Sequence, residues 1–184
     1  MNIPPQAKRV FQGKIFDVYQ WEQEMFDGSY STFERLKRTG TVQIIATRGD
    51  KVFISFESQP DKPNFYTLFG GRMEAGEEPL AAAKREFLEE TGMEAKEWEL
   101  FKVYDPLSKI DWKLHYFIAR DCHKVGEQKL DAGEKVEVKE YSFEDFLDLV
   151  LSDDFRDLGF VNDVLRMKLE PDKLEAFRKK LFGI

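Results

Sequence analysis

Between Gly71 and Met93 the chain sets a glycine, an acid at Glu77, and then the run Arg85-Glu86-Phe87-Leu88-Glu89-Glu90-Thr91-Gly92-Met93. This pattern predicts a helix from about Pro79 to Thr91. Glu77 and Glu78 sit near its positive end, and Gly92 is a natural left-handed stop. At about 100° per residue Leu80, Ala83 and Phe87 share one side. Glu86, Glu89 and Glu90 share the neighbouring side, about a quarter-turn away. Such a helix anchors in a core by one face and presents its acids at the core's edge.

Acids at i, i+3 and i+4 repel one another by roughly 0.2–0.5 kcal/mol per pair. A hard divalent cation turns that repulsion into a binding site, because Mg²⁺ takes oxygen ligands and keeps several waters. A carboxylate-held cation with waters, beside the glycine pair Gly70-Gly71, suits hydrolysis of a phosphate anhydride.

The rest of the chain bounds this reading. Its 184 residues are most simply one domain, large enough to bury roughly 70% of the unfolded surface. A net charge of −7 argues against a nucleic-acid partner and requires local cations for an anionic substrate. One cysteine, Cys122, rules out an intramolecular disulfide and suits a reducing compartment. The opening residues lack the charged-then-apolar order of a signal peptide, and no apolar run approaches the ~20 residues of a membrane span. The expected location is cytoplasmic, with no membrane partner.

Short strands and turns fill the first forty residues: Phe16 to Met25, a turn at Asp27-Gly28, then Ser31 to Arg38. Buried strands are expected at Val42 to Ala46 and Val52 to Phe56, with a turn at Arg48-Gly49-Asp50. A polar, proline-bearing loop is read at Ser58 to Asn64. After the acidic helix come strands at Trp98 to Tyr104, Lys113 to Ala119 and Lys135 to Tyr141, with a loop from Pro106 to Trp112. The tail is helical. Ser142 caps Phe143 to Leu151; Phe155, Leu158, Val161 and Leu165 recur at helical spacing; Pro171 opens a last helix carrying Leu174, Phe177 and Leu181. The fold class is α/β, a mixed sheet with helices packed on it. Three regions divide it: an N-terminal strand region (1–40), a core (41–151) and a C-terminal helical extension (152–184).

Residues 71–93 match the signature of the Nudix hydrolases at every specified position. Gly13-Lys14-Ile15-Phe16, Glu34 to Arg38, the approach from Leu68 to Glu77 and the Lys129 to Glu144 segment further resemble the ADP-ribose pyrophosphatase branch of that family. The resemblance implies an α/β/α sandwich. It implies Glu86 and Glu90 as metal ligands, Glu89 as a further ligand or the base, and a possible ligand in the Gly70 carbonyl. The implied ion is Mg²⁺, with Mn²⁺ as a substitute. Arg85 would orient an acid by a bidentate hydrogen bond and Glu77 would complete that arrangement. In that branch a late acidic loop supplies a catalytic glutamate, and Glu134 in Asp131-Ala132-Gly133-Glu134 holds the matching position.

For the substrate, Arg38 and Arg72 are candidate contacts and Trp112 a candidate stacking surface. Gln59 stands where the branch carries a phosphate-gripping arginine. The implied reaction splits the diphosphate of ADP-ribose or another nucleoside diphosphate sugar into a nucleoside monophosphate and a sugar phosphate. Nucleoside triphosphates or dinucleoside polyphosphates are alternative substrates, and a non-catalytic nucleotide-sensing domain is a third reading. The resemblance also implies a homodimer built through the N-terminal strands. His115, His123 and Cys122 are read as structural.

Overall fold

A computed structural model describes residues 3–60 and 62–184. In chain order the elements are strands β1 (Lys8–Gln12), β2 (Asp17–Glu24), β3 (Tyr30–Lys37), β4 (Thr41–Arg48), β5 (Lys51–Gln59) and β6 (Lys62–Thr67), then helix α1 (Pro79–Thr91). Strands β7 (Met93–Glu94), β8 (Glu97–Tyr104), β9 (Ile110–Asp111), β10 (Leu114–Arg120), β11 (His123–Lys124) and β12 (Lys135–Tyr141) follow. Helices α2 (Phe143–Val150), α3 (Leu158–Leu169) and α4 (Pro171–Phe182) complete the chain.

The central sheet runs β12-β5-β4-β10-β8, with β6 paired to β5. Only β4 and β10 are parallel within it; β10–β8, β12–β5, β4–β5 and β5–β6 are antiparallel. Its middle strands are near-continuous apolar runs because both faces are covered. Ile44, Phe53 and Phe117 point to the layer formed with Ala82, Ala83 and Phe87 of α1. Their neighbours Ile45, Ile54 and Ile118 point the other way, into a layer closed by Phe146 of α2, Phe160 of α3 and Phe177 of α4. Side-chain alternation along a strand thus builds the α/β/α sandwich. The four helices include none long and apolar enough to cross a membrane, among the described residues.

β4 divides one of its edges between two partners. Ala46 to Arg48 pair with β5. Nearer its start, Val42 and Ile44 donate instead to the carbonyls of Gly71 and Phe69, at 2.9 and 2.8 Å. β5 therefore leaves β4 after Phe53, and the glycine segment takes the vacated edge. That exchange brings Gly70 and Gly71 into the sheet, directly in front of α1.

Four local expectations need correction. The loop read at Ser58 to Asn64 is mostly strand: β5 runs to Gln59 and β6 begins at Lys62. Pro63 is tolerated because β5 is the only strand that pairs with β6 among the described residues, and the bridge on its other side is made further along, at Tyr66. The loop from Pro106 to Trp112 contains β9, which pairs parallel with β3 and joins the N-terminal sheet β1-β2-β3-β9 to the core. Leu80 does not face the core; the buried face of α1 is Ala82, Ala83, Phe87, Glu90 and Thr91, with two alanines letting the helix lie close to the sheet. In α3 the buried pair is Phe160 and Val164, while Leu158 and Leu165 are exposed. Asp157 explains that rotation. It caps α3 by accepting from the Phe160 N–H at 3.0 Å and also accepts from the Tyr116 hydroxyl at 2.9 Å, so Phe160 is drawn inward.

Candidate active site

α1 ends where expected: Gly92 adopts φ 63° and donates to the Leu88 carbonyl. Upstream, Glu90 is 8% exposed, and its carboxylate accepts from the Gly70 N–H at 2.9 Å. Gly70 has φ 140°, and a Cβ there would stand 2.1 Å from the Val42 carbonyl oxygen. Gly71 backs onto Glu86, whose carboxylate carbon would lie 2.5 Å from an added Cβ. The two glycines thus have different tasks: one lets the backbone turn against β4, the other leaves room for a carboxylate.

Arg85 holds the acids in order. It grips Glu77 through two hydrogen bonds of 2.9 Å, from Nε and Nη2. Its Nη1 donates to Glu86 at 2.9 Å and to Glu89 at 3.2 Å. Its Nη2 also reaches the Arg72 carbonyl at 3.3 Å, tying the helix to the glycine segment. The hydrogen bonds with Glu77 raise the guanidinium further above its ordinary pKa and hold Glu77 below the ordinary carboxylate range.

Glu86, Glu90 and Glu134 line one cavity of about 620 Å³, together with Gly70, Gly71 and Arg85. Burial pushes Glu90 well above its ordinary pKa; the Gly70 N–H opposes that shift, while Glu57, Glu86 and Glu134 reinforce it. Glu86 is also raised, by burial first, with Arg85 opposing. Glu134 is raised by burial and by Asp131. It is set by a turn in which its N–H donates to the Asp131 carbonyl at 3.1 Å. The preceding loop is strapped to the end of α1. Lys129 N–H donates to the Glu89 carbonyl, and the Gln128 amide reaches the carbonyls of Glu90 and Val136.

Among the described residues, no three His, Cys, Asp or Glu side chains are gathered closely enough to hold a metal ion. Glu86 and Glu89 turn toward Arg85, and Glu90 toward the Gly70 N–H. The donor set nevertheless fits a hard cation: all oxygen, partly buried, and carrying acids whose mutual repulsion Arg85 only partly relieves. The carbonyls that β4 uses are those of Phe69 and Gly71, leaving that of Gly70 between them.

Arg38 and Trp112 come together, but behind the main cavity. The Arg38 guanidinium lies 4.5 Å above the Trp112 ring and 5.6 Å from that of Phe16, and the indole N–H donates to Thr41 at 3.0 Å. They line a smaller cavity of about 200 Å³ that shares Met73 with the large one. Gln59 is engaged elsewhere, donating to Glu57 and accepting from Lys62 at 2.7 Å. Cys122 is buried and its thiol is pushed up to about 12 by burial, so it is no nucleophile. Sequence reasoning missed Glu57. It lies at the splayed end of β5, its pKa raised by burial and by Glu134, and its one signal is an acid closing the apolar run from Val52 to Phe56.

The two glycines yield a paired prediction. Gly71→Ala should keep a near wild-type melting temperature, since only the Glu86 carboxylate must move, yet weaken Mn²⁺ binding by about 10–100-fold. Gly70→Ala meets backbone in a left-handed conformation and should destabilise by about 3 kcal/mol or more. Thermal melts with Mn²⁺ titration by electron paramagnetic resonance separate the two.

A family model described as a NUDIX domain matches residues 37–163. Over 149 residues the chain is 33% identical to the ADP-ribose pyrophosphatase of Bacillus subtilis (strain 168), covering 79% of this chain and 80% of that protein. It is 26% identical over 149 residues to the methanol dehydrogenase activator of Bacillus methanolicus, covering 78% and 80% respectively. Among solved structures, a crystal structure of an ADP compounds hydrolase superposes with a TM-score of 0.72 at 20% identity, covering 91% of this chain and 94% of that one.

Proposed function

This chain belongs to the Nudix family, and on that footing we propose that it hydrolyses the diphosphate linkage of a nucleoside diphosphate derivative, with ADP-ribose or another nucleoside diphosphate sugar as substrate. The carrying observation is the single cavity on which Glu86, Glu90 and Glu134 converge while Arg85 organises the acids from behind. The similarity to an ADP-ribose pyrophosphatase supports the choice of substrate class.

Glu86 and Glu90 would hold Mg²⁺, with Glu89 and the Gly70 carbonyl as further donors. The bound ion would lower the pKa of water and neutralise phosphoryl oxygens. Glu134 accepts the proton of the attacking water as its oxygen bonds to phosphorus and the bridging P–O bond breaks. Glu134 suits that role better than Glu89, which is held by Arg85 and does not line the cavity. Arg85 offsets the mutual repulsion of Glu77, Glu86 and Glu89 and holds them side by side. A panel of ADP-ribose, GDP-mannose, other sugar nucleotides, NADH, dinucleoside polyphosphates and nucleoside triphosphates with Mg²⁺, scored by product identity, tests this. A nucleoside monophosphate and a sugar phosphate are expected; exclusive turnover of triphosphates would overturn the substrate class.

The N-terminal sheet supports a homodimer. Its outer strand β1 carries exposed Val10 and Phe11, and Phe26 at the β2–β3 turn is fully exposed. An apolar strand edge of this kind invites pairing with a second copy. Light scattering at micromolar concentration should give twice the 21.6 kDa chain mass, and Val10→Glu with Phe11→Glu should give the monomer. A fully active wild-type monomer would remove the dimer.

A further inference from the structure

The large cavity is lined by charges of both signs: five acids, among them Glu74, Glu86 and Glu134, and the cations Lys14, Arg72 and Arg85. Lys14 stands at the tip of the β1–β2 hairpin, where the Gly13 N–H donates to the Phe16 carbonyl at 2.9 Å and turns Lys14 and Ile15 outward to the cavity. Arg72 follows the glycine pair and pairs as a bridge with Thr41. Its guanidinium crosses to the hairpin, 3.5 Å from the Lys14 carbonyl.

Among the described residues neither Lys14 nor Arg72 has an acidic partner. Other arginines are ion-paired. Arg85 meets three carboxylates, Arg120 meets Glu97 and Glu99, and Arg48 meets Glu140. In a chain of net charge −7, acids are in surplus, so two unpaired cations facing one cavity are not short of possible partners. Behind them lies a third cation, Arg38, held on the rings of Trp112 and Phe16, with its buried Nε unpartnered. Burial and the nearby Arg72 both disfavour its charge. Arg72 and Arg38 repel one another, and an anion entering beside Lys14 and Arg72 would relieve that repulsion. Gln59, at the end of β5, is already engaged by Glu57 and Lys62.

Resting on the reading of the cavity as a diphosphate site, we propose that Lys14 and Arg72, backed by Arg38, form the wall that grips a phosphate of the substrate. The grip comes from the N-terminal hairpin and the glycine segment instead of from the end of β5. The hairpin tip is thereby a specificity element of the site.

Calorimetry with inorganic pyrophosphate in EDTA-containing buffer tests the wall without metal or turnover. Wild type should bind, and Lys14→Met and Arg72→Met should each weaken binding about tenfold, the usual scale for a lost charge-assisted hydrogen bond. Arg72→Lys should restore part of the loss, and each Met variant should reduce the salt dependence of affinity. Both side chains are cavity-lining and outside the core, so unchanged melting temperatures are expected. Wild-type affinity in both Met variants, or no binding by wild type, overturns the proposal. With ADP-ribose and Mg²⁺ the same variants should raise KM about tenfold with kcat nearly unchanged. A wild type that binds pyrophosphate through these residues but hydrolyses no diphosphate upholds the wall and sinks the hydrolase reading instead.

Discussion

Glu90→Gln is expected to reduce turnover by at least about 10²-fold while making the metal-free protein more stable. Loss of activity follows if Glu90 is the metal ligand proposed above, since even outer-sphere partners of a metal cost about 10–100-fold. The gain in stability follows from burial. Glu90 is 8% exposed and faces Glu57, Glu86 and Glu134, so its ionised form is disfavoured in the fold. Its folded pKa lies above the ordinary 4.5. The folded chain therefore keeps a proton that the unfolded chain releases, and metal-free stability falls as pH rises from the ordinary carboxylate range through the raised value. Glutamine has no such decline. Relief of the i, i+4 repulsion with Glu86 alone, about 0.2–0.5 kcal/mol, corresponds to a rise of about 1 °C in a chain this size. Calorimetric melts in EDTA between pH 4 and 8, beside kcat with saturating Mg²⁺, check both halves. Wild-type turnover in the variant would remove Glu90 from the ligand set.

Glu134→Gln should lower kcat by about 10²–10⁴, the usual range for a lost general base, with KM little changed. Burial and Asp131 raise the Glu134 pKa, so the acid limb of the wild-type profile should lie above the ordinary glutamate range. The variant should lack that limb, because no base remains to titrate. The hydrogen bonds from Lys129 and Gln128 to the end of α1 do not involve the Glu134 side chain, so the loop should stay in place. If Glu134→Gln is neutral and Glu89→Gln is crippled, the proton goes to the helix and the loop is structural.

What was legible in the sequence was local. Arg85, Glu86, Glu89 and Glu90 lie within two turns of one helix, so spacing alone places them together, and Gly92 marks the helix end by its own chemistry. The middle strands were legible because burial on both faces leaves a continuous apolar run. What escaped depends on distant pairing. β9 is two residues long and exists because β3 accepts it. β6 contains Pro63, which argues against a strand unless its place beside a single strand partner is known in advance. The face of α3 turned on the Asp157 cap and its Tyr116 partner, 41 residues away in sequence. Glu57 interacts with Glu134 from a splayed strand with no motif of its own, and Lys14 lies in a segment that resembles the family but reaches the cavity only through the hairpin's position.

The layer behind the central sheet has a consequence for how the protein is made. Phe177 and Leu181 of α4 are buried with Phe143 and Phe160, the Thr47 hydroxyl meets the Leu181 carbonyl, and Arg120 donates to the Lys180 carbonyl at 3.0 Å. The face of β4 and β10 that α2 and α3 cover in part is therefore completed only when residues 171–182 have left the ribosome. Domains fold as units during synthesis, and exposed apolar faces invite aggregation meanwhile. Nascent chains halted before α4 should carry the whole acidic helix yet remain chaperone clients without a working cavity.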